Sequence, residues 1–196
     1  VLTEDWTDSN LDDPKMLEAV KFVHSLVHEH GVSPSVEGTS MTELFMSGKS
    51  AMSGAGRWPF AGYVSADFRT VDIAPWPSKE TSTTVFGSGG WAVSKSTSNV
   101  PLAIELIKDL AAIETDMEAV AIGTSLPARR SATENELFNS FPANASLYFD
   151  SLEDIKPVPA PANFAEVESI FMRHMGAIMA NTVTPEQGLE AAHTEL

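Results

Sequence analysis

Between Phe45 and Lys95 the chain sets three of its four tryptophans beside glycines or prolines, and no other feature restricts the possible folds as much. The pieces read Gly54-Ala55-Gly56-Arg57-Trp58-Pro59, then Val71-Asp72-Ile73-Ala74-Pro75-Trp76-Pro77, then Phe86-Gly87-Ser88-Gly89-Gly90-Trp91. Proline cannot donate to a sheet ladder or continue a helix, and glycine weakens both elements. Each tryptophan is therefore expected at the end of a short apolar run, not inside a long element. There a flat ring gives a large contact area with little rotamer entropy to lose, and bare backbone lets a small ligand come close.

The surrounding pattern alternates short extended runs with helices. Asp13-Pro14 predicts a helix to about His30, stopped by Gly31, with Met16, Val20, Val23 and Val27 on its buried face. Thr39 or Ser40 caps a shorter helix through Met46 that ends at Gly48. Ala51–Gly54 reads as a short strand, Trp58–Val64 as a short helix, and Val71–Ala74 as a buried strand closed by Pro75 and Pro77. Thr83–Ser94 is extended, with a bend at its glycines. Ser98 or Asn99 caps the next helix, which Leu102, Ile104, Leu106, Ile107, Leu110 and Ile113 fill so heavily that little of its circumference should face water. A helix from Asp116 to Ile122 ends at Gly123, a loop spans Leu126–Arg130, and a helix covers Thr133–Phe141. Lys156–Pro161 is an extended connector. From Asn163 the spacing of Phe164, Val167, Ile170, Phe171, Met175, Ile178 and Met179 predicts an amphipathic helix to Asn181. Thr184-Pro185-Glu186-Gln187 then has the form of a capping box opening a helix to about Glu195. The alternation argues an α/β fold around one main core.

Charge removes some functions. With 12 basic against 27 acidic residues, a net charge of −15, the chain repels nucleic-acid phosphates and anionic membrane surfaces. It has no cysteine, hence neither a disulfide framework nor a cysteine metal site. Its apolar runs fall short of the ~20 residues that span a bilayer, so direct membrane insertion is not expected.

No catalytic set is visible. Gly87-Ser88-Gly89 has the wrong spacing for a nucleophile elbow, and no histidine can be assigned as its base. Gly54-Ala55-Gly56 lacks the third glycine of a dinucleotide site, and Gly48-Lys49-Ser50 lacks the upstream glycine of a phosphate loop. His24 and His28 share a helix face, but His30 projects elsewhere and no further ligand is fixed nearby. Neither a metal, a cofactor nor an enzyme activity is expected.

Phe45-x-x-Gly48-Lys49-x-Ala51-Met52, Gly56-Arg57-Trp58, Val71–Pro77, the glycine segment leading into Trp91-Ala92-Val93-Ser94-Lys95, and Leu126-Pro127-Ala128-Arg129 occur in an order that resembles the extracellular solute-binding proteins of ABC importers. The closest likeness is to the carbohydrate-binding, maltose-binding-protein-like family 1. That resemblance implies a periplasmic-binding-protein-like (type II) C-terminal lobe in a protein about twice this length. Residues 1–85 and 157–196 would belong mainly to that lobe, and 86–156 to an inter-lobe crossing and partly to the first lobe. The start at Val1 reads as an internal cut, with an export signal upstream of it.

The resemblance further implies capture of a sugar in an inter-lobe cleft, delivery to a membrane permease, and a periplasmic or extracellular setting, with a lipoprotein anchor as one form. Trp58 would stack on a sugar ring, and Trp91 and Trp76 would add further ring faces; a place in the core is the alternative weighed for Trp58 and Trp91. Gly89 and Gly90 would form the bend, and Arg129 would meet hydroxyls or a carboxylate. Arg57 and Arg130 are weaker candidates, each weighed against a solvated loop charge, and Trp6 is weighed as a packing residue. Two alternatives stand beside this reading: a protein-interaction module, and part of a glycan-acting enzyme whose catalytic half lies elsewhere.

Overall fold

A computed structural model describes residues 1–35, 40–79 and 82–196. In chain order these form α1 (Pro14–His28), α2 (Met41–Met46), α3 (Phe60–Ser65), β1 (Thr84–Phe86), α4 (Val100–Leu110), α5 (Ile113–Ala121), α6 (Glu136–Asn139), α7 (Leu147–Asp150), β2 (Ile155–Pro157), α8 (Phe164–Met179) and α9 (Pro185–Glu195). Two short 3-10 turns cover Arg130–Glu134 and Ser151–Glu153. The chain divides into two compact units, one of Val1–Ala51 with Pro159–Leu196 and one of Met52–Val158.

The first unit is helical, and its helix ends follow the local signals. The Asp13 carboxylate accepts from the Lys15 amide at 2.8 Å, and Pro14 occupies the first turn. α1 stops at His28, two residues short of expectation, with Gly31 left-handed just beyond it (φ +60°). Ser40 caps α2 by accepting from the Glu43 amide; Thr39 lies outside the described residues. The capping box of α9 closes both ways: the Gln187 amide donates to the Thr184 hydroxyl at 3.3 Å, and the Thr184 amide to the Gln187 side chain at 3.1 Å.

α8 and α9 approach closely because Gly188 has no side chain. A Cβ there would lie 2.4 Å from Ile178 Cγ1. Leu11, Val20, Ile178, Leu189 and Ala192 form the core, flanked by Leu17, Phe171 and Met175. Burying an aliphatic side chain of this size contributes about 1.5–3 kcal/mol. His24 and His28, with rings 4.3 Å apart, serve this packing. His28 Nε2 donates to the Met179 carbonyl at 2.9 Å, and His24 Nε2 lies 3.3 Å from Asn181 Oδ1 at the left-handed end of α8. Among the described residues no group of three potential metal ligands comes together.

In the second unit, Met117, Val120, Ala132, Phe138 and Ala145 form a core flanked by Ile113, Leu126 and Phe149. A cluster of aromatic rings extends it. Phe60 meets Tyr63, Phe141 and Tyr148 at centroid distances of 5.1, 5.3 and 6.3 Å. Gly123 (φ +85°) lets the end of α5 touch the start of α3, since a Cβ on it would lie 2.6 Å from the Phe60 carbonyl carbon.

β1 and β2 pair in parallel, Thr84 with Ile155, Val85 with Lys156 and Phe86 with Pro157. This two-stranded sheet carries the β part of the α/β class.

Several expectations are corrected here. Ala51–Gly54 and Val71–Ala74 are not strands. The second segment finds a side chain instead of a strand: Asn144 Nδ2 donates to the Ile73 carbonyl at 2.6 Å while its Oδ1 accepts from the Ile73 amide at 3.2 Å. The single helix expected over Thr133–Phe141 is a 3-10 turn followed by α6, because Asn135 is extended and spends its side chain capping the Leu137 amide at 2.8 Å. Ile113 opens α5, not the end of α4. α4 has no buried residue at all, and Leu102 and Leu106 are 64% and 56% exposed. Among the described residues no helix is long and apolar enough to cross a membrane.

Candidate ligand-binding face

The six candidate residues all fall in the second unit, and two of the tryptophans share one piece of backbone. Met52–Gly56 runs without turn or bend, and each of its two glycines lies under an indole. A Cβ on Gly54 would lie 2.1 Å from Trp76 Cη2, and one on Gly56 would lie 2.3 Å from Trp58 Cζ3. The indoles rest where side chains would otherwise be. Both remain open, Trp58 at 69% and Trp76 at 55% exposure.

Trp76 is held from its own segment. Pro75 and Pro77 restrict the backbone on either side, Ser82 Oγ donates to its carbonyl at 3.3 Å, and the Asn144 bonds fix Ile73 three residues earlier. Trp58 follows a residue with the opposite orientation. Arg57 is 5% exposed, and its Nη2 donates to the carbonyls of Val120 at 3.2 Å and Phe141 at 3.3 Å. Its guanidinium carbon lies 5.2 Å from the Phe138 ring centre and 5.5 Å from that of Phe60.

Arg57 is thus neither a solvated charge nor a ligand contact; it is a buried cation that joins the α5 end to the aromatic cluster. Its Nε and Nη1 have no hydrogen-bond partner among the described residues. Burial lowers its pKa, against the pull of Tyr148. Burial also pushes the Tyr148 phenol up to about 12, opposed by the Arg57 charge, and raises that of Tyr63. The sequence offered no sign of this inward turn beyond the aromatic content around it.

The remaining candidates have other surroundings. Trp91 is 64% exposed after the glycine stretch. Cβ atoms on Gly87, Gly89 and Gly90 would meet nothing within 4 Å, so packing does not require glycine there in this conformation. Arg129 Nη2 donates to the Ala111 carbonyl at 3.2 Å, where a cation satisfies the end of α4 and suits its dipole. Arg130 opens the 3-10 turn. Trp6, 39% exposed with a left-handed backbone, lies in the N-terminal turn and outside the core.

Sequence reasoning missed one further feature. An open depression of about 550 Å³ in this unit is lined by Arg69, Val71, Asp72 and Phe141 among others, and by none of the tryptophans. Arg69 covers the Phe141 ring at 5.0 Å and pairs with Asp67 at 3.3 Å.

Comparison with known proteins places this geometry. Residues 2–146 match the family described as bacterial extracellular solute-binding protein. Two solved structures share the fold over 100% of this chain. One is an ABC substrate-binding protein from Listeria monocytogenes in complex with cycloalternan, at 22% identity and a TM-score of 0.87. The other is maltose-bound T. maritima MalE3, at 21% identity and a TM-score of 0.85. In each case the match takes in 52% of the solved chain, so this chain spans about half the length of those relatives. The periplasmic-binding-protein-like fold implied by the ordered glycine and tryptophan motifs is thereby established, and the family is one of binding proteins, which sets the glycan-acting enzyme aside. Family match and fold agree that the chain belongs to the bacterial extracellular solute-binding proteins.

Proposed function

We propose that this chain is the C-terminal portion of the substrate-binding component of an ABC importer, capturing a sugar or oligosaccharide outside the cytoplasm and handing it to a membrane permease. One observation carries the sugar reading: two open indoles, Trp58 and Trp76, are seated on bare glycine backbone in the same unit. Saccharide rings present flat C–H faces to an aromatic ring and a rim of hydroxyls to polar groups, and such a seat provides the first of these. The two solved relatives hold maltose and cycloalternan, both saccharides, which points the same way.

In this reading the stretch 86–156 includes the crossing between the two lobes of the complete protein. Trp91 offers a third ring face; the bend expected at Gly89–Gly90 is absent, since residues 87–94 run without turn or bend. The N–H groups of Arg129 not used on Ala111 reach for hydroxyls. Closure of two lobes around the ligand stabilises the closed state only by contacts made there and not in the open one, so a single lobe binds weakly.

The test is a thermal-shift screen of the complete protein against mono- and oligosaccharides, with oligopeptides and polyamines as competitors. A specific sugar present at a hundred times its Kd stabilises the native state by about 2.7 kcal/mol and raises the melting temperature. A rise with peptide or polyamine and none with any sugar would overturn the proposal.

A further inference from the structure

The two histidines that hold α1 against the end of α8 do more than pack. His24 and His28 stand one turn apart in the last two turns of α1, with their rings 4.3 Å apart. Both Nε2 atoms aim at the same short stretch of chain: His28 Nε2 meets the Met179 carbonyl at 2.9 Å, and His24 Nε2 lies 3.3 Å from Asn181 Oδ1. Two nitrogens and two oxygens are thereby gathered at one place within the first unit.

Both oxygens sit where a cation is favoured. Met179 is the last residue of α8, so its carbonyl is one of those the helix leaves unsatisfied, at the negative end of the helix dipole. Asn181 follows with a left-handed backbone (φ +57°), at a position where glycine is usual and asparagine adds an oxygen. No third histidine or carboxylate joins the pair among the described residues. The carbonyl and the neutral amide take those places. With metal–nitrogen and metal–oxygen bonds of about 2.0–2.2 Å, neighbouring ligands stand about 2.9 Å apart at a right angle and about 3.4 Å apart at the tetrahedral angle. The nitrogen-to-oxygen separations of 2.9 and 3.3 Å match those two arrangements. A hydrogen bond has the same reach, so one geometry serves the protein with and without an ion.

The geometry points to a divalent transition-metal site made of His24 Nε2, His28 Nε2, the Met179 carbonyl and Asn181 Oδ1. It takes a metal that accepts imidazole, copper(II) ahead of nickel(II) and zinc(II). In the metal-free protein the His28 Nε2 proton is donated to Met179. On binding, each imidazole stays neutral and carries its proton on Nδ1, so that both Nε2 lone pairs face the ion. The ion then ties the last turns of α1 to the end of α8. The candidate tryptophans other than Trp6 lie in the second unit, so this site stands or falls apart from the sugar reading.

The experiment is calorimetric titration of the complete, chelator-treated protein with copper(II), nickel(II) and zinc(II) salts, joined to pulsed electron paramagnetic resonance of the copper complex. A bound copper ion should show two imidazoles in the resonance spectrum, and the melting temperature should rise with copper concentration. His24→Gln and His28→Gln should each weaken copper binding by more than about tenfold, and Asn181→Gly, which keeps the left-handed turn, by a smaller factor. His30→Gln should leave binding unchanged. Circular dichroism without metal confirms that each variant is folded, and the wild-type spectrum together with Asn181→Gly decides the matter if a histidine variant is not. Failure of all three metals to bind, a spectrum with fewer than two imidazoles, or wild-type affinity in folded His24→Gln or His28→Gln would overturn the site. So would a loss of binding in His30→Gln.

Discussion

Asn144 stands where a neighbouring strand would stand for Ile73. Its side-chain amide gives one hydrogen bond to the Ile73 carbonyl at 2.6 Å and takes one from the Ile73 amide at 3.2 Å, across 71 residues of sequence. A single side chain thus satisfies both backbone groups of a residue whose segment is otherwise unpaired by regular structure. Asn144→Leu removes both bonds at once and leaves two partly buried polar groups without them. The expected cost is about 1–3 kcal/mol, read as a lower denaturant midpoint at unchanged slope. Hydrogen exchange at the Ile73 amide should quicken in step. An unaltered midpoint would show that water replaces the amide without loss.

Arg57 gives a second prediction with the opposite bearing on function. Arg57→Ala empties a site enclosed by Phe60 and Phe138 and removes donors to Val120 and Phe141. We expect a loss of about 2–4 kcal/mol in chemical denaturation, from the cavity and the orphaned Phe141 carbonyl together. Arg57→Lys should recover only part of it, since an ammonium cannot lie flat between two rings and bridge two carbonyls as a planar guanidinium does. Sugar affinity measured on the folded fraction should change much less than with Trp58→Ala, for which about 1–3 kcal/mol is expected by calorimetry.

These two residues also mark where the sequence stops being legible. Helix starts and stops were readable because their causes lie within four residues: Asp13 and Pro14 at α1, the Thr184–Gln187 box at α9, Gly31 and Gly123 beyond their helices. The family and its fold were readable because five short motifs keep their order along the chain. What failed depended on distant partners. A strand at Val71–Ala74 needs a neighbour, and the neighbour turned out to be a side chain. A lone arginine beside a tryptophan reads as solvated, because its burial is decided by Val120, Phe138 and Phe141, which are far away in sequence. The apolar surface of α4 called for cover, and Leu102 and Leu106 stay open in a chain spanning about half the length of its solved relatives. The seats under Trp58 and Trp76 were half visible: glycines next to one tryptophan suggested close approach, but nothing in the order of residues linked Gly54 to Trp76.

The two tyrosines of the chain, Tyr63 and Tyr148, supply a pH test of the aromatic cluster. Burial raises both phenol pKa values, Tyr148 to about 12. Below pH ~10, the value for an unfolded chain, both phenols are neutral in either state and contribute no pH dependence. Above it the unfolded chain releases protons that the native chain retains, so stability falls as pH rises toward the folded values. Absorbance of tyrosinate should therefore lag behind that of a free tyrosine and appear together with loss of near-ultraviolet circular dichroism. Tyrosinate formation at pH 10 with the native spectrum intact would place the rings in solvent.

At acid pH the sensitive contact lies between α8 and α9. Glu195 accepts hydrogen bonds from Arg173 and, at 2.9 Å, from His174, and these bonds, the Arg173 one foremost, hold its carboxyl pKa below 4.5. A depressed folded pKa means the native chain holds its proton less tightly than the unfolded one. The stabilisation is complete above pH 4.5 and drains away as pH drops through the lower, folded value. Because the carboxylate is exposed, the effect is small and salt should weaken it further. Glu195→Gln should melt below the wild type at pH 7 in low salt, with the gap narrowing below pH 4.5 and vanishing once the wild-type carboxyl is protonated. A gap that persists undiminished at pH 3 would mean that Glu195 acts through packing and not through its charge.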